Sequence, residues 1–262
     1  MTYLRTQRLD TKWVRRVRSG LQAWGYYYEP GFCVETDDAD PVLTAAGLLG
    51  RLHVPQATDP RRPVILTRPS ASAPQWRPFD RRSPIRWHND FSTRPGRPEL
   101  SLSWVRRDDP SGSGGGAWRV ASAAAVLGKL RQTREGRRLA AELSVRAEPF
   151  GYRDAGGCRL FRVVTRMDRS LGRGGLRFYG AALEDGAWLR FGRVPDRTRE
   201  IVARVEEAAD AVAEVFPAPT GALLIVDNRF SLHDRTEQQV TGPEDRRRQA
   251  WLCFVNRLHE PL

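Results

Sequence analysis

The chain has 262 residues, of which 40% are hydrophobic and 28% charged, a balance typical of a folded globular protein with a substantial core. Since no stretch approaches the roughly 18 apolar residues of a membrane span, we expect no membrane insertion. The first twenty residues carry several arginines without an apolar run behind them, which is not the pattern of a secretory signal. These features predict a cytoplasmic protein.

The formal charge of +12 first suggests a nucleic acid or another anionic partner. All but two of the 43 basic residues are arginines, however, and they are spread along the whole chain. This distribution indicates a compositional bias towards arginine rather than a designed patch. We therefore expect no nucleic-acid partner, and we keep a basic nucleic-acid-binding β-sandwich or a nucleic-acid dealkylase as the alternative.

The three cysteines, Cys33, Cys158 and Cys253, are far apart and odd in number, which argues against a disulfide framework and against a cysteine-based zinc site. The chain shows no internal repeat, and its only low-complexity piece is the loop 111–116. We therefore expect a single domain over residues 1–262, with a core over about 31–257.

The first half of the chain predicts few regular elements. A strand is expected at 31–35, a helix at 41–52 and a short buried strand at 63–67, followed by an irregular Pro-rich and Arg-rich connection at 68–84.

From residue 85 the pattern becomes strongly β. Strands are predicted at 85–91, 100–106, 160–165, 176–179, 188–191, 222–226 and 248–255. Two helices are predicted, at 121–130 and, with the clearest amphipathic spacing, at 198–216. Many strands with few helices indicate a mainly β protein with flanking helices, a β-sandwich or a jelly roll.

Two of the four histidines have neighbours that suggest a metal site. His88 and Asp90 lie two residues apart, so in an extended segment the imidazole and the carboxylate point to the same side. A second histidine would complete a 2-His-1-carboxylate set, which leaves open positions on Fe(II) for a co-substrate and O2. His233 is the candidate, because it follows a buried strand and a polar turn.

The segment around His233 resembles a known signature. Asp227 and Asn228 follow the apolar strand, and His233 and Arg235 come after four intervening residues. This pattern is similar to that of the TauD and clavaminate synthase-like Fe(II)/2-oxoglutarate dioxygenases. Trp87-His88-Asn89-Asp90-Phe91 resembles the W-H-x-D/E element of the same family, and the strand, Gly-Gly loop and helix that follow also agree with it.

The resemblance implies a double-stranded β-helix (jelly roll, cupin-like) and His88, Asp90 and His233 as the ligands of Fe(II). It also implies O2 and 2-oxoglutarate as co-substrates and the oxidation of an aliphatic C–H of a small molecule, with succinate and CO2 as products. Since halogenating relatives lack the metal carboxylate, Asp90 favours a hydroxylase, a desaturase or a related oxidase.

The distal carboxylate of 2-oxoglutarate needs a cation, and a guanidinium that donates two parallel hydrogen bonds is the natural partner. Alignment with the C-terminal strand of the family gives this role to Arg248, with Arg247 as the fallback; Arg235 is expected to brace the iron ligands or the co-substrate. Strand alternation supports Arg248, because it shares a face with the apolar residues Ala250, Leu252 and Phe254.

Two features depart from the family pattern. Trp118 stands where many members have a threonine that contacts 2-oxoglutarate, and Leu252 stands where some have a second arginine. We therefore expect a substrate pocket unlike the taurine type, and a small polar metabolite or natural-product intermediate as substrate.

The remaining candidates are expected to be structural. His53 and His259 belong to no ligand pattern, and Tyr26-Tyr27-Tyr28 is more typical of a core or an interface than of a substrate pocket. The glycine-rich loop at 112–116 lacks the Lys-Ser/Thr of a phosphate-binding loop, so no nucleotide site is expected.

Overall fold

The structure is a computed structural model that describes residues 9–33, 39–55, 63–73, 78–112, 114–152, 157–165, 174–240 and 242–257. Within these ranges the elements are, in chain order, α1 (Thr11–Trp24), β1 (Tyr26–Glu29), α2 (Asp40–Leu49), β2 (Gly50–His53), β3 (Val64–Thr67), β4 (Leu100–Arg107), β5 (Trp118–Ser122), α3 (Ala123–Leu130), α4 (Arg134–Val145), β6 (Ala147–Tyr152), β7 (Gly157–Arg162), α5 (Gly180–Phe191), α6 (Asp196–Asp210), β8 (Glu214–Phe216), β9 (Leu223–Asp227), β10 (Ser231–Arg235) and β11 (Gln249–Arg257). No helix in these ranges is long and apolar enough to cross a membrane.

Most of the described strands form two facing sheets, β6 and β7 form a separate two-stranded sheet, and every pairing is antiparallel. The major sheet has the order β1-β9-β4-β11-β2, with β3 also paired to β11, and the minor sheet has the order β10-β5-β8. Helices α1 and α2 cover the outer face of the major sheet, and α3 to α6 pack on the outer face of the minor sheet. This arrangement confirms the mainly β, jelly-roll prediction with flanking helices.

Alternation along the strands separates the two faces of the major sheet. Leu102, Trp104 and Ile225 point outwards into the core with Trp13 and Val42 of the two N-terminal helices. The inner face contacts the minor sheet through a second cluster of Tyr26, Val105, Trp118, Val120, Ala218, Ala222, Leu224 and Val226. The tyrosines of β1 therefore belong to the sheet and its core, as predicted.

Several element predictions were wrong in detail. The predicted strand 188–191 is the end of α5, and the predicted helix 198–216 ends at Asp210, after which β8 pairs with β5. Residues 31–33 of the predicted strand 31–35 are not in a strand, and 34–35 lie outside the described residues. The predicted helix 41–52 ends at Leu49 and gives way to β2, and β5 extends to Ser122 before α3 begins.

The predicted strands 85–91 and 176–179 are also wrong as continuous strands. They contribute only isolated bridges, in which His88 pairs with His233 and with Tyr179, and Leu176 pairs with Val164. Positive φ angles of 74° at Arg86 and 55° at Phe91 turn the chain on both sides of His88. The segment therefore adds a single bridge to the edge of the minor sheet.

Candidate metal and co-substrate site

His88, Asp90 and His233 come together between the two sheets. Each offers one ligand atom, and these atoms all lie within 4.8 Å of one another. His88 Nε2 is 3.7 Å from Asp90 Oδ1, and His233 Nε2 is 3.3 Å from Asp90 Oδ2. The three residues that the sequence singled out thus form one compact donor set.

Backbone pairing places the two histidines opposite each other. The His88 amide donates to the His233 carbonyl at 3.1 Å, and the His233 amide donates back at 2.9 Å. Directly paired residues on neighbouring strands point to the same side of a sheet, and the two ring centroids are 4.3 Å apart. His233 faces inwards with Val120, its partner on β5, because Leu232 next to it faces the outer core.

Two buried side chains hold Asp90 in place. Ser101 Oγ donates to Asp90 Oδ2 at 2.6 Å, and the Asp90 amide donates to Asn228 Oδ1 at 3.2 Å. The Asn228 amide group donates in turn to Ser101 Oγ at 2.8 Å and to the Pro98 carbonyl at 3.1 Å. Asn228 of the Asp-Asn signature therefore supports the carboxylate from a neighbouring turn.

Charge within the cluster shifts two pKa values. Burial raises the pKa of Asp90, but the charges and hydrogen bonds of His233 and His88 outweigh it, so the net pKa lies well below the usual range. Burial lowers the pKa of His88, and the Asp90 carboxylate outweighs this effect and raises it. A cation between these groups would take over the role of the imidazolium charges.

A hydrogen bond fixes the tautomer of His88. Its Nδ1 lies 2.9 Å from the carbonyl oxygen of Arg86. Because a carbonyl only accepts, Nδ1 carries the proton and Nε2 of the neutral ring keeps its lone pair free for a metal. His233 differs, since its buried Nδ1 has no hydrogen-bond partner among the residues that the structure describes.

Arg248 is a buried cation with unused donors. The residue is 3% exposed, and its Nε and Nη2 atoms have no hydrogen-bond partner in the described part of the chain. Burial, together with the charge of Arg235, lowers the pKa of Arg248 to about 9. A buried charge without partners is costly, so this guanidinium is suited to an anionic ligand.

The walls around Arg248 are tight. The indole of Trp118 lies 5.9 Å from the guanidinium carbon, and a Cβ on Gly116 would come within 2.6 Å of Arg248 Cδ. Gly116 also has a φ of 65°, which favours glycine. The glycine of the predicted loop is thus required for close packing against the arginine.

The other two arginines proposed from the sequence are already occupied. Arg247 donates to the carbonyls of Gly242 and Pro69, so its guanidinium ties surface loops together. Arg235 is buried and donates to the carbonyls of Arg81 and Ser83, the segment that leads into His88. Burial lowers the pKa of Arg235 to about 10.

One part of the inner face of the major sheet, the open surface, is only partly covered by other residues, and sequence reasoning missed it. Phe254 pairs with Ser101 on one side and with His53 on the other, while Leu252 pairs with Ser103 and Ile65. Four residues on this inner face are only half-buried, although they point towards the space between the two sheets: His53, Ile65, Ser103 and Leu252. His53 also packs edge-on against Phe91, with ring centroids 5.2 Å apart.

This open surface begins beside the donor set, because Ser101 contacts Asp90 on the same face. No signal in the local sequence around His53 indicates it, since its place depends on the pairing of β2 with β11. The other weak candidate, His259, lies outside the described residues.

Comparison with known proteins identifies the family. The family model for "Taurine catabolism dioxygenase TauD, TfdA family" matches residues 3–253. A search of curated proteins finds no match.

Solved structures share the fold at low sequence identity. Asparagine oxygenase in complex with Fe(II), 2S,3S-3-hydroxyasparagine and succinate is 20% identical, with a TM-score of 0.71 over 94% of this chain and 79% of the other. A putative alpha-ketoglutarate-dependent taurine dioxygenase from Burkholderia xenovorans is 16% identical, with a TM-score of 0.68 over 97% and 86%. The non-heme iron oxygenase OrfP with Fe and alpha-ketoglutaric acid is 13% identical, with a TM-score of 0.67 over 95% and 81%.

The family match spans nearly the whole chain, and the fold of these oxygenases is the one described above. The protein therefore belongs to the TauD/TfdA family and is an Fe(II)- and 2-oxoglutarate-dependent dioxygenase.

Proposed function

We propose that His88, Asp90 and His233 bind Fe(II) and that Arg248 binds the distal carboxylate of 2-oxoglutarate. The observation that carries this proposal is the compact His-Asp-His donor set in a fold that also buries an arginine with unused N–H donors. Two imidazoles and one carboxylate suit Fe(II) and leave coordination positions open for a chelating co-substrate and O2.

The choice of Arg248 is supported by elimination as well as by burial. Arg247 already donates three hydrogen bonds to two loop carbonyls, those of Gly242 and Pro69. Arg248 instead has two buried donor atoms without a partner among the described residues. Arg235 takes a positioning role, because it ties down the carbonyls of Arg81 and Ser83 and adds positive charge near Arg248. A bidentate guanidinium–carboxylate pair would satisfy the buried donors.

Iron held by these three residues would supply O2 activation coupled to the decarboxylation of 2-oxoglutarate. The overall reaction would place one oxygen atom of O2 in a C–OH of the substrate and the other in succinate, with release of CO2. The chain contributes orientation and exclusion of water. His88 Nδ1 donates to Arg86, Ser101 holds Asp90, and the buried Arg248 orients the co-substrate from its far end.

The substrate would occupy the open surface on the inner face of the major sheet. This surface offers an apolar wall at Leu252 and Ile65 and hydrogen-bonding groups at His53 and Ser103. It supplies no arginine at the Leu252 position, so a sulfonate or carboxylate would find no cation there. We propose hydroxylation of an aliphatic C–H in a small polar metabolite, such as an amino acid or a natural-product intermediate.

Three further expectations remain part of the proposal. We propose that the chain acts as a single domain, that it works in the cytoplasm and that it has no nucleic-acid partner. The cytoplasmic assignment is supported by Cys33, Cys158 and Cys253, which are free cysteines. No finding favours the nucleic-acid alternative.

The test is anaerobic addition of Fe(II) and 2-oxoglutarate, which gives a weak visible charge-transfer band when both bind. We expect this band in the wild type and in His53→Ala, a control on the inner face outside the donor set. We expect none in His88→Ala. A wild type without the band, or a His88→Ala protein that retains it, contradicts the proposal.

A nucleic-acid function has a different signature. A dealkylase or a nucleic-acid-binding protein would bind oligonucleotides with an affinity that falls steeply as salt rises. We expect succinate formation to be unaffected by added DNA or RNA. Strong, salt-dependent stimulation by either would favour the alternative.

A further inference from the structure

Arg86 has an unusual backbone conformation just before the first histidine of the donor set. Its φ is 74°, in the left-handed region, where a side chain normally meets steric resistance. Strained residues of this kind persist only when their surroundings hold them, and they cluster at functional sites. The positive φ at Arg86 therefore points to a functional role for this position and to contacts that maintain it.

The conformation presents the Arg86 carbonyl to His88. His88 Nδ1 donates to this oxygen at 2.9 Å, the contact that fixes the tautomer and leaves Nε2 free. Partners of this type orient metal-binding imidazoles. The Arg86 carbonyl is therefore the acceptor that orients an imidazole of the donor set, since the buried Nδ1 of His233 has no hydrogen-bond partner among the described residues.

Contacts from three elements hold Arg86 in place. Its amide donates to Asp234 Oδ1 at 3.0 Å, next to His233 in the chain. Its guanidinium makes two hydrogen bonds of 3.0 Å to Glu206 on α6, through Nε to Oε1 and Nη2 to Oε2, and a third of 3.4 Å to Glu184 on α5. The bidentate geometry restricts the side chain more than a single contact would.

The packing around this ion pair is specific. A Cβ on Gly180, the first residue of α5, would lie 2.9 Å from Glu206 Oε1 and 3.2 Å from Arg86 Nη2. The preceding residue, Tyr179, forms a backbone bridge with His88. The helices on the outer face of the minor sheet thus reach the donor set through Arg86.

We propose that Arg86 is a positioning residue whose ion pairs with Glu206 and Glu184 hold its backbone in the left-handed conformation, so that its carbonyl orients His88 for metal binding. This inference rests on the proposed role of His88 as an iron ligand. It adds that the outer helices α5 and α6 control the geometry of that ligand through one arginine.

The test compares three substitutions that separate the side chain from the backbone. Arg86→Ala removes the ion pairs and keeps the steric resistance to positive φ, Arg86→Gly removes both, and Glu206→Ala keeps the arginine without its main partner. Arg197→Ala is the matched control, because Arg197 of α6 also pairs with two glutamates on helices outside the minor sheet, Glu142 of α4 and Glu200 of α6, and none of its ion pairs in the described structure involves the donor set.

The measurement is anaerobic Fe(II) titration at saturating 2-oxoglutarate, followed by the charge-transfer band, with thermal unfolding of each variant recorded alongside. We expect Arg86→Ala to weaken Fe(II) binding by about 10- to 100-fold, the usual effect of losing the partner of a metal-bound histidine. Arg86→Gly should bind at least about threefold more tightly than Arg86→Ala, because glycine adopts positive φ without resistance. Glu206→Ala should also weaken binding, and Arg197→Ala should not.

Each outcome decides the matter. Binding by Arg86→Ala within about threefold of the wild type overturns the proposal, and so do equal losses in Arg86→Ala and Arg86→Gly, because the backbone conformation would then be irrelevant. If Arg86→Ala does not fold, unchanged Fe(II) affinity in Glu206→Ala overturns it. Absence of the band in the wild type would instead contradict the proposed function itself.

Discussion

Replacing Arg248 with methionine should separate the stability of the protein from its affinity for 2-oxoglutarate. The substitution keeps an unbranched apolar stem in the buried site and removes the guanidinium whose Nε and Nη2 have no partner in the described structure. The two effects are expected to have opposite signs, which makes the test informative.

The loss of affinity follows from the hydrogen bonds that the guanidinium would donate. A hydrogen bond to a charged group contributes about 1.5–3 kcal/mol, so two such bonds to a carboxylate amount to roughly 3 kcal/mol or more. At about 1.4 kcal/mol per tenfold change, 2-oxoglutarate should bind at least about 100-fold more weakly.

Stability should not fall in the same way. A buried donor without a partner costs about 1–3 kcal/mol, and methionine removes two of them together with a buried charge. The contact with the Trp118 ring, whose centroid is 5.9 Å from the guanidinium carbon, returns about 2 kcal/mol at such a buried site, which is less than the two donors and the charge cost together. The unliganded Arg248→Met protein should therefore be as stable as the wild type or more so.

The assay is a 2-oxoglutarate titration with Fe(II) under anaerobic conditions, together with thermal unfolding without ligands. Arg247→Met is the matched control, because the guanidinium of Arg247 donates to the carbonyls of Gly242 and Pro69 and lies 3.9 Å from Glu244 Oε1. It should lose about 1 kcal/mol of stability and keep its affinity. The reasoning is refuted if Arg248→Met binds 2-oxoglutarate within threefold of the wild type, or if Arg247→Met loses binding.

Two further substitution pairs test the same site. Gly116→Ala places a Cβ 2.6 Å from Cδ of Arg248, so the affinity for 2-oxoglutarate should fall at least tenfold. Gly112 also has a positive φ, but a Cβ there meets nothing within 4 Å. Gly112→Ala should therefore lose about 1 kcal/mol of stability and keep its affinity for 2-oxoglutarate. Equal 2-oxoglutarate affinities in Gly116→Ala and Gly112→Ala would contradict the role proposed for Arg248. Ser101→Ala removes the 2.6 Å hydrogen bond to Asp90 and should weaken Fe(II) binding by about 10-fold, whereas Ser103→Ala on the same face of β4 should not. Unchanged Fe(II) affinity in Ser101→Ala would show that the carboxylate needs no support.

The donor set was accessible from the sequence because its signals are local. His88 and Asp90 lie two residues apart, and His233 follows a strand and an Asp-Asn turn, so each half of the site is encoded in a few adjacent residues. Strand alternation alone does not account for the first half of the site. Asp90 lies near His88 because the chain turns at Arg86 and Phe91, and no continuous strand is present there.

The wrong elements share a physical cause. The segment 188–191 was predicted as a strand, but Gly186 lets α5 approach the β6 backbone so closely that a Cβ there would lie 2.4 Å from the Pro149 carbonyl oxygen. Glycine weakens a helix in isolation, and here tertiary contact offsets that cost. The helical spacing of 198–216 likewise continues past Asp210, where strand pairing with β5 overrides it.

By itself, the sequence determined the family, the jelly-roll class and the three residues of the donor set, because short motifs and strand alternation depend on neighbours in the chain. It left Arg247 and Arg248 unresolved and gave no role to Arg86 or His53. Only the tertiary structure decided the contacts of these residues, because the partners of a side chain come from distant segments: Gly242 and Pro69 accept hydrogen bonds from Arg247, and the pairing of β2 with β11 turns His53 inwards. The charge of +12 that dominates the composition is spread over many surface arginines, and the arginine proposed to bind the co-substrate is distinguished by burial without a partner.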